Sequence, residues 1–462
     1  MSHKKEKNET RPHQIIFTPI NDDPHEAVIL ASKIMMDIQN LYQKYRESTG
    51  VSTDTRQIAS GSIFFALKGE KFNANQFASE ALSKGARYAV IDEAQYAKDD
   101  RFIVVENVLE ALQKLARYHR DQLKIPFIGL TGSNGKTTSK ELIDAVLSKK
   151  YKTLATKGNL NNHIGVPLTL LSIDDTVDIA VIEMGANHVG EISLLCSIAN
   201  PTHGFITNIG KAHIGTFGGF ENIIRAKSEL YHHLIKTRGQ VFINSQNHIL
   251  TNMAKRFANP LFYPAAGDYY HCQLMGADPF LKVKDEKESE IITQLTGAYN
   301  FENVAAALCI GKFFGVDAKQ AAEAIANYAP GNMRSQVVKK GTNTIILDAY
   351  NANPSSMAAA IENLSTMNAT NKVAIVGDMF ELEDEAETEH MAIGKLLSQQ
   401  NFNAVYLCGG LMKSAAKEIP SAHYFEKKED LLKMLQQNPL SNSTILVKAS
   451  RGIGLEAVVE VL

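Results

Sequence analysis

The sequence predicts an α/β protein of three domains, on three observations. The chain has 462 residues, and at roughly 150 residues per domain that makes about three units. Short apolar runs alternate with helical stretches, the pattern of mostly parallel sheets covered by helices. One of these runs, Phe127-Ile128-Gly129-Leu130, enters a glycine-rich turn that opens a helix.

The elements follow in order. Residues 1–25 read as a flexible extension, with Lys4-Lys5-Glu6-Lys7 a solvated cluster. The first domain is expected over 26–124. From about Ala27 to Tyr45, Ile29, Ile34, Ile38, Leu41 and Tyr42 recur at helical spacing. A strand over Ile63–Leu67, a helix over Ala74–Lys84 and a strand over Tyr88–Ile91 come next. The second domain is expected over 125–330. Its helix starts at about Thr137, and its later apolar runs, Ile179–Ile182 and Gly204–Thr207, each lead into a polar loop. Pro330-Gly331 marks the next break. The third domain, 331–462, has strand candidates at Thr344–Leu347, Lys372–Val376, Ala404–Leu407 and Thr444–Val447. It reads as a small Rossmann-like domain, yet no GxGxxG follows its first strand, so no dinucleotide site is expected there.

Composition narrows the class. Hydrophobic residues make up 44% and charged residues 21% of the chain, as in ordinary globular proteins. The 48 basic and 50 acidic residues nearly cancel, which gives no support to a nucleic-acid partner. No apolar run approaches the roughly 20 residues of a membrane helix, and Met1 to Pro12 lack the apolar stretch of an export signal. Cys196, Cys272, Cys309 and Cys408 stand far apart without a CxxC pair. Disulfide and zinc frameworks are therefore not expected, and a reducing cytoplasm fits.

The central motif is Thr131-Gly132-Ser133-Asn134-Gly135-Lys136-Thr137-Thr138. Strand before and helix after are the context that a phosphate-binding loop requires. Glycines let backbone N–H groups approach phosphate oxygens. Lys136 would reach the β- and γ-phosphates of ATP, and the Thr137 hydroxyl would ligate Mg²⁺. The usual GxxxxGK[ST] spacing wants glycine at position 130, where this chain has Leu130, and Gly132 sits two residues later.

That shortened loop resembles the Mur ligase family, ATP-dependent enzymes that build the peptidoglycan stem peptide, with folate-polyglutamylating relatives. Further runs agree: Lys157 to Pro167, Glu183-Met184-Gly185-Ala186, Thr207 to His213, Arg225 to Glu229, Gly297 to Asn303, Gly331 to Arg334 and Asp348 to Pro354. The resemblance spans roughly residues 36–462. Within the family, the Asp348–Pro354 run and Val51-Ser52-Thr53-Asp54-Thr55-Arg56 are most similar to the members that add D-alanyl-D-alanine to UDP-N-acetylmuramoyl-tripeptide. The Asp-Asn-Pro-Arg tetrapeptide of the diaminopimelate-adding members is absent.

The resemblance implies roles for particular residues. Glu183, at the end of an apolar strand, and His213 would join Thr137 as Mg²⁺ ligands, with His213 serving a second ion. Lys227, which ordinary helix reasoning would leave on a solvated face, would react with CO₂ to give a carbamate, an oxygen anion that also binds Mg²⁺. Carbamate formation needs the neutral amine, so the usual lysine pKa of about 10.4 must fall. Lys136, Glu183, His213 and Lys227 form the expected catalytic set. Asn300 and Asn303, on one helix face, would contact the nucleotide near its base, although Asn also starts helices well. Arg334, just past the Pro-Gly break, would meet the γ-phosphate. Asp348 would contact ribose or phosphate, or else initiate a turn.

The first domain would hold the UDP-sugar through Ser52, Thr53, Asp54, Arg56, Lys68 and the Phe72-Asn73-Ala74-Asn75 turn. Many relatives carry Asp and His where this chain has Asn73 and Asn75. Asn161, Asn162 and Asn351 would face the sugar-peptide and the reaction zone. Lys448, Ser450 and Arg451 follow the last strand, where parallel sheets bind ligands, and Lys448 or Arg451 would grip the carboxylate of D-Ala-D-Ala. The acidic run Glu381–Glu389 reads as a solvated loop and helix face. A cytoplasmic, monomeric ligase acting through an acyl phosphate is the expectation. The alternatives are a family ligase with another acceptor, folylpolyglutamate synthesis, or a non-catalytic NTP-binding module.

Overall fold

The computed structural model describes residues 38–462. The expected extension over 1–25, together with Ile29 and Ile34, lies outside the described residues. Among the described residues no helix is long and apolar enough to cross a membrane.

Three layered α/β units follow one another. The first holds a four-stranded parallel sheet in the order Val51–Ser52, Ile63–Phe65, Tyr88–Ile91, Phe102–Val104. Its expected 74–84 helix is divided. The Asn73 side chain accepts from the Asn75 N–H, which opens a 3-10 turn over Ala74–Phe77 before the α-helix Ala78–Ser83. The helix Val108–Gln122 then packs between this sheet and the second unit, in one core with Ile63, Phe65 and Val90. Its Leu112, Leu115 and Ala116 share one core with Val166, Leu170 and Leu195. Arg120 fixes the joint, its guanidinium 3.7 Å over the Phe127 ring, donating to the carbonyls of Ala199 at 2.9 Å and Asn200 at 2.8 Å.

The second unit is a six-stranded, wholly parallel sheet. Its order is Leu261–Tyr263, Gln240–Asn244, His203–Ile206, Phe127–Thr131, Ile179–Glu183, Thr153–Ala155. Phe127–Thr131 is fully buried at its centre. The chain winds outward from that strand in both directions, so a crevice opens beyond its carboxyl end. A three-stranded antiparallel sheet, Gln273–Gly276, Lys282–Lys284 and Glu290–Ile292, follows.

In the third unit Gln336–Lys340 pairs antiparallel with Asn343–Leu347. Parallel strands continue in the order Thr444–Lys448, Lys372–Gly377, Ala404–Cys408, His423–Phe425. Their carboxyl ends carry Asp348, Lys448, Asp378 and Gly409, all on one rim of the sheet.

Candidate active site

The strand Phe127–Thr131 ends in the phosphate loop, which leads into the helix Lys136–Leu147. Two glycines make the loop possible. A side chain at Gly132 would put its Cβ 1.9 Å from the Thr207 Oγ1, and one at Gly135 would lie 2.5 Å from the Asn303 Oδ1. Gly135 also takes φ +76°, which favours glycine. The loop is held from behind. Asn134 N donates to Asn208 Oδ1 at 2.9 Å, and Thr207 Oγ1 donates to the Asn134 carbonyl at 2.6 Å. Thr131 and Thr138 are buried at its two ends, and Ser133 Oγ bonds Gly210.

Lys136 folds its ammonium back into the loop, donating to the carbonyls of Gly132 at 2.7 Å and Ser133 at 3.0 Å. Desolvation lowers its pKa to about 8; Glu183 opposes that shift and Arg334 adds to it. Thr137 Oγ1 donates to Glu183 Oε1 at 3.3 Å, and Asn161 Nδ2 to the same oxygen at 2.9 Å. The other oxygen, Glu183 Oε2, is buried with no hydrogen-bond partner. A buried anionic oxygen beside a threonine hydroxyl suits a hard cation. Among the described residues no group of three or more His, Cys, Asp or Glu forms a complete cage.

Lys227 lies within the helix Phe220–Thr237 and is 2% exposed. Its ammonium donates to the Ala186 carbonyl at 3.3 Å and stands 5.1 Å from the Phe217 ring centroid. Burial, reinforced by Lys136, lowers its pKa to about 7. A solvated-face residue would feel none of this. His213 adopts φ +55° at the start of the short helix Ile214–Phe217. Its Nδ1 lies 2.5 Å from Glu381 Oε2 of the third unit.

The expected nucleotide residues split into two groups. Asn300 and Asn303 are bound to each other at 2.9 Å, and Asn303 Oδ1 accepts from Ser139 Oγ at 2.8 Å. They brace the phosphate-loop helix while lining the cavity. Arg334 lies between two left-handed residues, Met333 at φ +56° and Ser335 at φ +53°. Its guanidinium stacks 3.9 Å over the Tyr350 ring.

On the third unit, Lys448 is 1% exposed and donates to Asp348 Oδ2 at 2.6 Å and to the Asn351 carbonyl at 3.1 Å. Ser450 Oγ accepts from Phe380 N at 2.9 Å. Arg451 is exposed, 3.3 Å from Glu456. Asn351 and Asn162 line the cavity, Asn162 also capping a helix by accepting from Gly165 N at 2.8 Å.

Most of these groups meet in one cavity of about 860 Å³ between the second and third units, whereas Lys227, Ser450 and Arg451 do not line it. The phosphate loop, Glu183, His213, Asn161, Arg334, Asp348 and Lys448 all line it. The residues expected to hold the UDP-sugar do not. Ser52, Thr53, Asp54 and Arg56 form a turn of their own, with Arg56 bound to Asp54 at 2.7 Å. Lys68 pairs with Asp92 at 2.9 Å and Glu93 at 3.0 Å, and Asn75 donates to Asp92 at 2.8 Å.

Sequence reasoning gave no role to Tyr350, Glu141, Asp92 or Glu93, and it read Glu381 as part of a solvated face. Glu381 and Glu389 are not a purely solvated face: Glu389 is buried and pairs with Lys211 at 2.6 Å. A carboxylate closing an apolar strand was the signal used for Glu183, and Asp92, directly after Tyr88–Ile91, carries the same signal.

Comparison with known proteins gives consistent matches. The family described as Mur ligase middle domain matches residues 130–311. The Mur ligase, glutamate ligase domain matches 333–451, and the Mur ligase family, catalytic domain matches 47–120. The UDP-N-acetylmuramoyl-tripeptide–D-alanyl-D-alanine ligase of Bacillus subtilis is 35% identical over 440 residues, 89% of this chain and 92% of that protein. A crystal structure of MurF from Acinetobacter baumannii is similar with a TM-score of 0.82 and 30% identity, covering 92% of this chain and 97% of the other. MurF from Thermotoga maritima in complex with ADP is similar with a TM-score of 0.79 and 28% identity, covering 90% and 97%.

Proposed function

The chain belongs to the Mur ligase family, and from that premise we propose that it joins D-alanyl-D-alanine to UDP-N-acetylmuramoyl-tripeptide at the expense of ATP. The step belongs to peptidoglycan precursor synthesis in the cytoplasm. The observation that carries this reading is the convergence of the phosphate loop, Glu183 and Arg334 on one interdomain cavity.

Joining a carboxylate to an amine in water is uphill, so the carboxylate is first made an acyl donor. One oxygen of the tripeptide carboxylate attacks the γ-phosphorus; that O–P bond forms as the bond to ADP breaks. The Lys136 ammonium swings from the Gly132 and Ser133 carbonyls to the phosphates, and the loop N–H groups take the remaining charge. Arg334, held over Tyr350, faces the γ-phosphoryl group and stabilises the charge in flight. The dipeptide amine then attacks the acyl carbon and loses a proton, and the tetrahedral intermediate collapses with expulsion of phosphate.

Thr137 and Glu183 would hold Mg²⁺, with His213 and a carbamylated Lys227 as further ligands. Such an ion, when bound, screens the repulsion between carboxylate and triphosphate. Lys227, with its pKa near 7, has the neutral amine that carbamylation requires. His213 would have to leave Glu381 to serve. Asn161 orients Glu183, and Asn300 and Asn303 border the base. Asp348 fixes the loop that presents Arg334. Ser52, Thr53, Asp54, Arg56, Lys68 and Asn75 hold the UDP-sugar, and Arg451 takes the dipeptide carboxylate. The enzyme is read as a monomer.

Phosphate release by the purified protein tests the reading. Release with ATP, Mg²⁺ and UDP-N-acetylmuramoyl-tripeptide should require D-Ala-D-Ala. Binding of ATP without any substrate-dependent release would support a non-catalytic module instead.

A further inference from the structure

Two adjacent charged residues of the phosphate-loop helix have no part in the chemistry above, although one reaches Glu183 and the other the segment that carries Arg334. Lys140 is 3% exposed, and its ammonium sits between two carboxylates, 4.0 Å from Glu183 Oε2 and 3.7 Å from Glu141 Oε1. Glu141 in turn faces the segment that joins the second and third units. Its Oε2 accepts from Tyr328 Oη at 2.5 Å, and its Oε1 accepts from Asn332 Nδ2 at 3.0 Å. Tyr328 follows the last helix of the second unit, Ala318–Asn327, and Asn332 precedes the first strand of the third, Gln336–Lys340. Arg334 is two residues further along.

We propose that Glu141 is a positioning residue for Arg334: its carboxylate clamps the interdomain connection at its start and its middle and so sets where the guanidinium stands relative to the phosphate loop. The inference rests on the ligase reading and on the place it gives Arg334.

The geometry favours this over a passive surface contact. The connection between Tyr328 and Gln336 has no regular hydrogen-bond ladder of its own, and left-handed backbone at Met333 and Ser335 brackets Arg334. Such backbone persists only where the surroundings fix it. Side-chain anchors do so, beside the Tyr350 N–H, which donates to the Met333 carbonyl at 3.2 Å. Glu141 holds Tyr328 and Asn332. Tyr299 Oη and Ser335 Oγ are bonded at 2.8 Å. Ser335 N donates to Asp348 Oδ1 at 3.2 Å. Of these anchors, that of Glu141 starts on the helix that opens with Lys136. Lys140 extends it to Glu183, so a continuous line of charge joins the cation-binding carboxylate to the connection carrying Arg334. Hydrogen bonds to a charged acceptor are the strong ones, and a two-pronged contact adds direction.

The test is a double-mutant cycle on the intact enzyme. Glu141→Ala should lower kcat about tenfold, while the Kd for MgADP by calorimetry stays within about twofold, because the anchor acts on the transferring group and not on the bound nucleotide. In an Arg334→Ala background the same substitution should change kcat by less than about twofold, since its target is gone. Tyr328→Phe and Asn332→Ala, which remove one prong each, give the same cycle if Glu141→Ala folds poorly. An equal loss from Glu141→Ala in both backgrounds would overturn the proposal, because a merely structural role does not depend on Arg334. Unchanged kcat in every variant would overturn it as well. A wild-type protein that releases no phosphate would defeat the ligase reading itself, a result distinct from either.

Discussion

Asn353 donates from Nδ2 to the Oδ1 of Asn134 at 2.7 Å, so the tip of the phosphate loop touches the third unit directly. The same Asn353 caps the helix Pro354–Thr366 by accepting from Ser356 N at 3.0 Å. Beside it, Lys211 N donates to Ser355 Oγ at 2.9 Å. The two halves of the cavity are therefore stitched along one seam.

Asn353→Ser separates the two roles. Serine caps a helix about as well as asparagine, but it is too short to reach Asn134. The melting temperature should stay within about 2 °C, and kcat/KM for ATP should fall about two- to tenfold, the range of one neutral hydrogen bond. Thermal melts and initial rates on the same preparation check both halves.

Lys448 and Arg451 are expected to behave oppositely. Lys448 and Asp348 form a buried pair, with side chains 2% and 15% exposed. Lys448→Met leaves the carboxylate uncompensated and should cost about 3–5 kcal/mol in urea unfolding. Arg451→Ala should change stability by under about 0.5 kcal/mol, as exposed substitutions do, and raise KM for D-Ala-D-Ala. A stable Lys448→Met with a raised acceptor KM would reassign the carboxylate contact to Lys448.

Lys227 should make stability depend on pH. Its pKa is about 7 in the folded protein against the ordinary 10.5. Between those values the unfolded chain binds more protons than the native one, so stability from this group rises with pH across that window. Below about 7 the penalty is complete and constant. Lys227→Met removes it, so in nucleotide-free protein the variant should out-melt wild type most near pH 7 and lose that advantage toward pH 10. A carbamate carbonyl resonance after exposure of wild type to labelled bicarbonate, absent in the variant, would establish the modification.

Glu183→Gln keeps the shape beside Thr137 and Asn161 but removes the charge. The Mg²⁺ concentration for half-maximal activity should rise at least about tenfold, equivalent to about 1.4 kcal/mol. Calorimetry with ADP in chelator should show no loss of affinity, since the carboxylate helps only through the cation.

The sequence made the middle of the site legible because its signals are local. A buried strand, a glycine turn and a helix start name the phosphate loop, and Glu183 ends an adjacent strand. What stayed hidden depends on contacts between distant segments. Glu141 and Tyr328 lie far apart in the chain, and nothing local in Lys140-Glu141 says that they face a connection between domains. The Glu381–Glu389 run has the composition of a solvated loop, and only the fold brings Glu381 to His213 and Glu389 to Lys211. Of the strands, Gln336–Lys340 is a polar edge without an apolar run. Thr153–Ala155 and Leu261–Tyr263 are three residues each, too short to carry a periodicity. Gln240–Asn244, with Val241, Phe242 and Ile243 buried, has the same kind of apolar run as its neighbours and was readable.

The most direct measurement follows oxygen from the tripeptide carboxylate. The substrate is prepared with heavy oxygen in that carboxylate and incubated with the enzyme, ATP, Mg²⁺ and D-Ala-D-Ala. Transfer through an acyl phosphate predicts that each phosphate released carries one heavy oxygen from the substrate. Phosphate without the label would mean that water, not the carboxylate, attacks ATP, and would contradict the account.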